Sequence, residues 1–234
     1  MTRWEWRTCR DPVPMLHALR GVATERRLRL WVVACCRRAH DWPQRLRWGW
    51  ARLSRARRAP EAAEGYADGL VPGEALEEVR RDALAAFHGQ AFPYNAPACA
   101  AFHAAGGPRD FCWLSCLLAV KHAADAALCW GASQQDESAA QADLLREVFG
   151  PYPFRPVGHD PRWLDRDGGL VPRLAEAVLS RRPTLGPLDR AALLVLADAA
   201  EEAGCIDTDL LGHLRGPGPH VAGCWAVDPL AGRE

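Results

Sequence analysis

Residues 24–39 read TERRLRLWVVACCRRA, and their spacing decides the fold. Leu28, Trp31, Val32, Cys35, Cys36 and Ala39 recur on a 3.6-residue period. That pattern is one continuous apolar stripe, the signature of an amphipathic helix with a core-facing side. Thr24 is placed to cap it, and Glu25 suits its positive N-terminal end. On this reading Arg26, Arg29 and Arg37 fall on the opposite face, toward solvent.

The same period runs along the rest of the chain. Residues 13–20 predict a short helix ended by Gly21. Residues 43–58 predict another, with Leu46, Trp50 and Leu53 buried and Pro43 at its first position. A helix over 60–69 ends at Gly69, and one over 74–88 buries Leu76, Val79, Ala83 and Phe87. Breakers crowd 89–109, which reads as a loop with one short helix. Residues 109–130 are apolar nearly all round and predict a central buried helix. A helix from Ser133 packs through Leu144, Leu145, Val148 and Phe149 and stops at Gly150.

Helices follow at 171–181, 188–203 and 208–215. Gly204 suits a left-handed cap, and Asp207 an N-cap. No run alternates with the period of two that a half-buried strand needs. The expectation is an all-α protein, an irregular helical array with a smaller C-terminal helical subdomain. Its parts are an N-terminal domain over 1–150, a linker or wrapping loop over 151–170, and the subdomain over 171–234.

Composition sets the outer limits. The 234 residues are 49% hydrophobic and 25% charged, enough to bury a core without staples. Lys121 is the only lysine, so the basic residues are almost all arginine. That bias runs through the whole chain alongside Ala, Gly and Pro, as GC-rich codon usage produces. Net charge is zero, but residues 1–60 carry fifteen arginines against Glu5, Asp11, Glu25 and Asp41. Such asymmetry marks a nucleic-acid surface or lets one part of a protein attract another. Nine cysteines without framework spacing, behind an N-terminus lacking the apolar core of a secretory signal, predict free thiols in the cytoplasm. Lys121, His122 and Asp125 interrupt the nearest approach to a membrane span.

Candidate chemistry concentrates in the closing block, GCIDTDLLGHLRGPGPHVAGCW. Cys205, His213, His220 and Cys224 supply two thiols and two imidazoles, a set that suits a closed tetrahedral zinc site. The competing reading makes the cysteines small buried hydrophobes and sets the histidines beside backbone carbonyls. Cys35 and Cys36 near His40 invite a catalytic-thiol reading, but both lie on the apolar stripe, where packing accounts for them. Cys112, Cys116 and Cys129 fall in the buried-helix candidate and read the same way. Arg45, Trp48, Arg52 and Arg55 line one face of the 43–58 helix. Arginines there suit phosphates and an exposed indole suits a base; a solvated face, or one paired with acidic 61–82, is the competing reading. Asp198, Glu201 and Glu202 read as a solvated face. No phosphate loop, nucleophile elbow or metalloprotease helix is present.

Several blocks together resemble a known family. They are DPVPMLHALRG…ERRLRLWVVACCRR, YADGL, QADLLREVFGPYPFRPV…DPRWL and LADAAEEAGCIDTDLLGHLRGPGPHVAGCW. They resemble a paralogous family of uncharacterised helical proteins of planctomycetes, and LADAAEEAG is similar to part of a short repeat-companion domain. The resemblance implies a helical protein and carries no activity with it. Val33 and Leu214 stand where the family pattern often has cysteine.

The functional expectation is therefore a non-catalytic cytoplasmic interaction or scaffold module with a protein partner. The alternatives are a nucleic-acid-associated protein using residues 26–58, and a structural zinc protein using the closing block.

Overall fold

Every regular element among the described residues of the computed structural model is a helix. Those residues are 1–41, 50–88, 96–107, 113–129, 131–151, 160–181 and 186–233. In chain order the helices are α1 (Arg3–Thr8), α2 (Pro12–Ala18), α3 (Glu25–Asp41), α4 (Trp50–Ala67), α5 (Gly73–His88) and α6 (Ala96–Ala104). They continue as α7 (Trp113–Cys129), α8 (Gln134–Phe149), α9 (Pro161–Arg181), α10 (Arg190–Glu202), α11 (Thr208–Arg215) and α12 (Val227–Leu230). The fold is all-α, and it divides into two units, Met1–Leu145 and Arg146–Glu234. The last turn of α8 thus belongs to the second unit. No described helix is long and apolar enough to cross a membrane.

In the first unit α3 packs against α4, α6 and α7. With neighbours on several sides, it buries more than its apolar stripe. Leu30, Trp31, Val32, Val33, Cys35 and Cys36 are all enclosed, and so are Arg29 and Arg37. This corrects the expected solvent face. Arg29 is fully buried because its Nη1 donates to the carbonyls of Ala104 and Gly106, and its Nη2 donates to Glu25. A buried guanidinium persists only when its donors are matched in this way. Arg37 pairs with buried Glu64, Arg26 with Asp68 at 2.8 Å, and Arg38 with Glu137 at 3.0 Å. Much of the basic charge of α3 is therefore spent inside the unit, on carboxylates of α4, α8 and the turn after α4.

Two further elements depart from expectation. The break foreseen between 58 and 60 is absent, because α4 continues through Pro60 to Ala67. Proline costs a helix interior about 3 kcal/mol; here Ala59, Pro60 and Ala63 are buried, and their packing holds the path. Helix α7 is not enclosed all round. Cys116, Ala119, Ala123 and Ala127 are buried, while Leu114 and Cys129 are exposed. The packing role expected of Cys129 does not hold; Cys112 lies outside the described residues.

The second unit has its own core, built from Val171, Val178, Leu193, Leu196, Leu210 and Leu214 with the closing turns. Residues 161–170, expected as the end of a linker, are instead drawn into α9. That helix is kinked, with non-helical backbone from Arg166 to Gly169, so its regular body starts near the predicted 171. Gly204 adopts φ +103 after α10, as its left-handed cap role requires. Asp207 caps α11 by accepting from the N–H groups of Asp209 and Leu210.

Candidate metal centre

The closing block folds back on itself through short turns. Helix α11 buries Leu210, Leu211 and Leu214, which leaves His213 at the edge of that core. The helix stops at Gly216, and the chain turns through Pro217, Gly218 and Pro219 to His220. Gly218 takes φ +89, a backbone conformation that side-chain-bearing residues rarely adopt. The His220 carbonyl then accepts from Leu188, and Cys224 N–H donates to Val221, which fixes the thiol in a tight turn.

The fourth group arrives from α8. Glu147 lies in that helix's last turn, beside Leu144, Leu145 and Val148. Its backbone carbonyl accepts from Trp225 N–H at 3.0 Å, and its Oε1 accepts from Val221 N–H at 3.2 Å. These two bonds tie a buried carboxylate to the closing block.

Four donor atoms converge there. His213 Nε2 is 3.2 Å from Cys224 Sγ and 3.2 Å from Glu147 Oε2. His220 Nδ1 is 3.6 Å from Glu147 Oε1. One ligand atom from each of the four residues lies within 4.8 Å of all the others. A tetrahedral zinc with bonds of 2.0–2.3 Å has ligands about 3.3–3.8 Å apart, so these spacings need little adjustment.

His220 is held as a ligand is held. Its Nε2 lies 3.2 Å from the Gly216 carbonyl. A proton donated there leaves the lone pair on Nδ1, the arrangement by which an outer hydrogen bond sets the tautomer of a metal-bound histidine. That Nδ1 is buried and has no hydrogen-bond partner. A buried polar atom left unsatisfied is uncommon and calls for a reason. The Glu147, His220 and Cys224 side chains are buried, while His213 keeps 20% of its side-chain surface exposed.

Burial works to raise the Glu147 carboxyl, but the His213 ring at 3.2 Å and the His220 ring at 3.6 Å together outweigh it, and the group is held below its ordinary value. Burial pulls His220 down, yet the adjacent Glu147 carboxylate overrides it and the ring is raised. Cys224 is pushed well up, first by burial and then by the Glu147 charge. Without a cation the thiol stays protonated. A divalent ion would offset one thiolate and one carboxylate, leaving the buried centre neutral.

Three of the four expected ligands, His213, His220 and Cys224, are brought together, and Cys205 is not. Cys205 is buried in the apolar core of the unit, following α10. Burial raises its thiol too. Glu147 takes the fourth place. Sequence reasoning missed it because it lies in another block; the signal was a carboxylate set inside the apolar run Leu144, Leu145, Val148 and Phe149.

Of the expected nucleic-acid face, Arg45 and Trp48 lie outside the described residues, and Arg52 and Arg55 lie on α4. Cys35 and Cys36 are fully buried with raised thiol pKa, Cys36 through burial and then the neighbouring Cys99, which fits packing rather than nucleophilic chemistry. Searches of protein-family models, curated proteins and solved structures each return no match for this chain.

Proposed function

We propose that the second unit is a structural zinc module, with Glu147, His213, His220 and Cys224 as its ligands. The observation that carries this reading is the buried, unsatisfied His220 Nδ1 facing a carboxylate, with a second imidazole and a thiol at the same point. Mixed thiolate and imidazole donors suit zinc over the hard cations, which take oxygen. Four protein donors fill a tetrahedron and leave no position for substrate, so the role is structural. The ion would clamp the end of α8 to the closing block. Two of the blocks that resemble the planctomycete family, REVFG and HLRGPGPHVAGCW, supply all four ligands. The test is metal analysis of the purified chain. One zinc per chain, lost in Cys224→Ser and Glu147→Ala, supports the reading; metal-free protein with a stable second unit overturns it.

Around this clamp we place a non-catalytic cytoplasmic interaction module. Helix α10 turns Leu194 and Val195 outward, and Ile206 after it is 87% exposed. Leu194 and Val195 adjoin on one helix, and neighbouring apolar side chains left in water are what a protein partner would cover. Co-purification from native cells, compared between the wild type and Val195→Asp, tests this second reading. A stoichiometric companion lost in the variant supports it, and an unchanged profile removes it.

A further inference from the structure

A second group of metal-ligating side chains lies in the first unit, apart from the closing block. Cys99 and His103 are four residues apart on α6, and so face the same way one turn apart. His122 lies on α7, which packs against α6. One donor atom from each of the three lies within 4.8 Å of the other two. The His103 and His122 rings stack, nearly parallel at 2°, with centroids 6.0 Å apart.

The donors are in forms a metal can use. Burial pulls His103 down to about 4, helped by His122 and then by Arg80, so its imidazole is neutral and its lone pair available near neutral pH. Burial likewise lowers His122. Cys99 is pushed up to about 11, so its thiol loses its proton only to a strong Lewis acid. His122 Nδ1 is buried and lacks a hydrogen-bond partner, with Asp125 Oδ2 at 3.5 Å. That Asp125 oxygen is already held by Lys121 Nζ at 2.8 Å. The nearby cations are engaged too: the Arg80 guanidinium lies over the Phe102 ring and contacts Glu77.

We infer that Cys99, His103 and His122 form a second site for a zinc-class divalent transition-metal ion, one with an open fourth position. A three-donor set of one thiolate and two imidazoles selects the same soft-to-borderline metals as the closing block. It differs in coordination. Three protein donors leave one position of a tetrahedral ion unfilled, and with both histidines partly exposed that position takes water or an exogenous ligand. The site is accordingly exchangeable, where the closing-block site is closed.

Cobalt titration of the full-length chain, stripped of metal with chelator, tests the inference. Cobalt(II) reports thiolate ligation through a sulfur-to-metal charge-transfer band. The wild type is expected to bind two equivalents, the second more weakly. His103→Asn with His122→Asn should remove one equivalent and leave the other. In Cys224→Ser, thiolate-to-cobalt absorption should persist, because Cys99 remains. Unchanged stoichiometry in the double variant overturns the inference. A loss confined to Cys224→Ser, with no residual thiolate absorption, overturns it too, while supporting the closing-block site. Circular dichroism of each variant confirms that the helices are retained.

Discussion

Glu147 Oε2 and His213 Nε2 meet at 3.2 Å, one from the last turn of α8 and the other from α11. The contact joins two blocks that are remote in sequence at a point where both groups are more than half enclosed. Substitutions should therefore sort by geometry rather than by residue type. Glu147→Ala and Cys224→Ser are expected to abolish bound zinc, while Cys205→Ser, which loses only a buried thiol in the apolar core, keeps it. Metal analysis on the three variants decides the point. Chelation of the wild type should cost the second unit on the order of 10 kcal/mol of local stability, read as faster amide exchange across 208–230.

The metal-free form should have an unusual pH optimum. Glu147 is held below its ordinary value of about 4.5, so its contribution is present above that value and is lost as pH falls through the depressed one. His220 is raised above its ordinary 6.5, so its contribution is complete below 6.5 and fades as pH rises through the raised value. The chelated protein should thus be most stable between about pH 4.5 and 6.5. The metal-bound protein should instead gain stability across this range. Acid protonates the thiolate and imidazoles and releases the ion, so stability rises with pH. Thermal midpoints measured with and without chelator across pH 4–9 would show the two profiles meeting in acid and diverging as pH rises; parallel profiles would contradict the assignment.

The all-α architecture was legible because α3, α5 and α10 carry the 3.6-residue apolar period, the 109–130 run is continuously apolar, and the caps at Gly204 and Asp207 are local chemistry. Periodicity could not show that α3 is covered by several helices at once, so Arg29 and Arg37 read as solvent-facing. Nor could it show that packing at Ala59 and Ala63 overrides the breaker at Pro60. At the candidate site, three of the clustered residues were legible because they share one short block. Glu147 was not, since joining it to that block takes the Val221 and Trp225 N–H bonds, and these exist only in the folded unit. Cys205 was grouped with them because it is near in sequence, and it does not join the cluster in space.

Arg29 offers a test of the first unit that is independent of metal. Its guanidinium satisfies two backbone carbonyls, Ala104 at 2.9 Å and Gly106 at 2.7 Å, at a fully buried position. Arg29→Met matches the length and removes the donors, which strands both carbonyls, while Glu25, 45% exposed, turns to water. Each buried acceptor left unsatisfied costs about 1–3 kcal/mol. The variant should lose about 2–4 kcal/mol in denaturant unfolding. Arg29→Lys should recover only part of this, because one ammonium cannot span the same fork of acceptors.

Gly150 tests whether the end of α8 and the closing block must fit as the proposed metal centre requires. The residue adopts φ +54, and a Cβ there would fall 2.4 Å from Trp225 Cγ and Cδ2. The indole ring cannot withdraw cheaply, because Trp225 N–H is bonded to the Glu147 carbonyl one turn before Gly150. Alanine therefore has to move either the ring or the last turn of α8, and either movement shifts the Glu147 carboxylate. Gly150→Ala should cost about 2–4 kcal/mol from overpacking and the left-handed backbone, and it should weaken metal binding as well. Gly212→Ala is the matched control, since a Cβ there meets nothing within 4 Å; it should leave both stability and metal content near the wild type. Competition with a chromophoric chelator reads the affinity. Equal affinities for the two alanine variants would mean that the position of Glu147 is not set by its fit against Trp225.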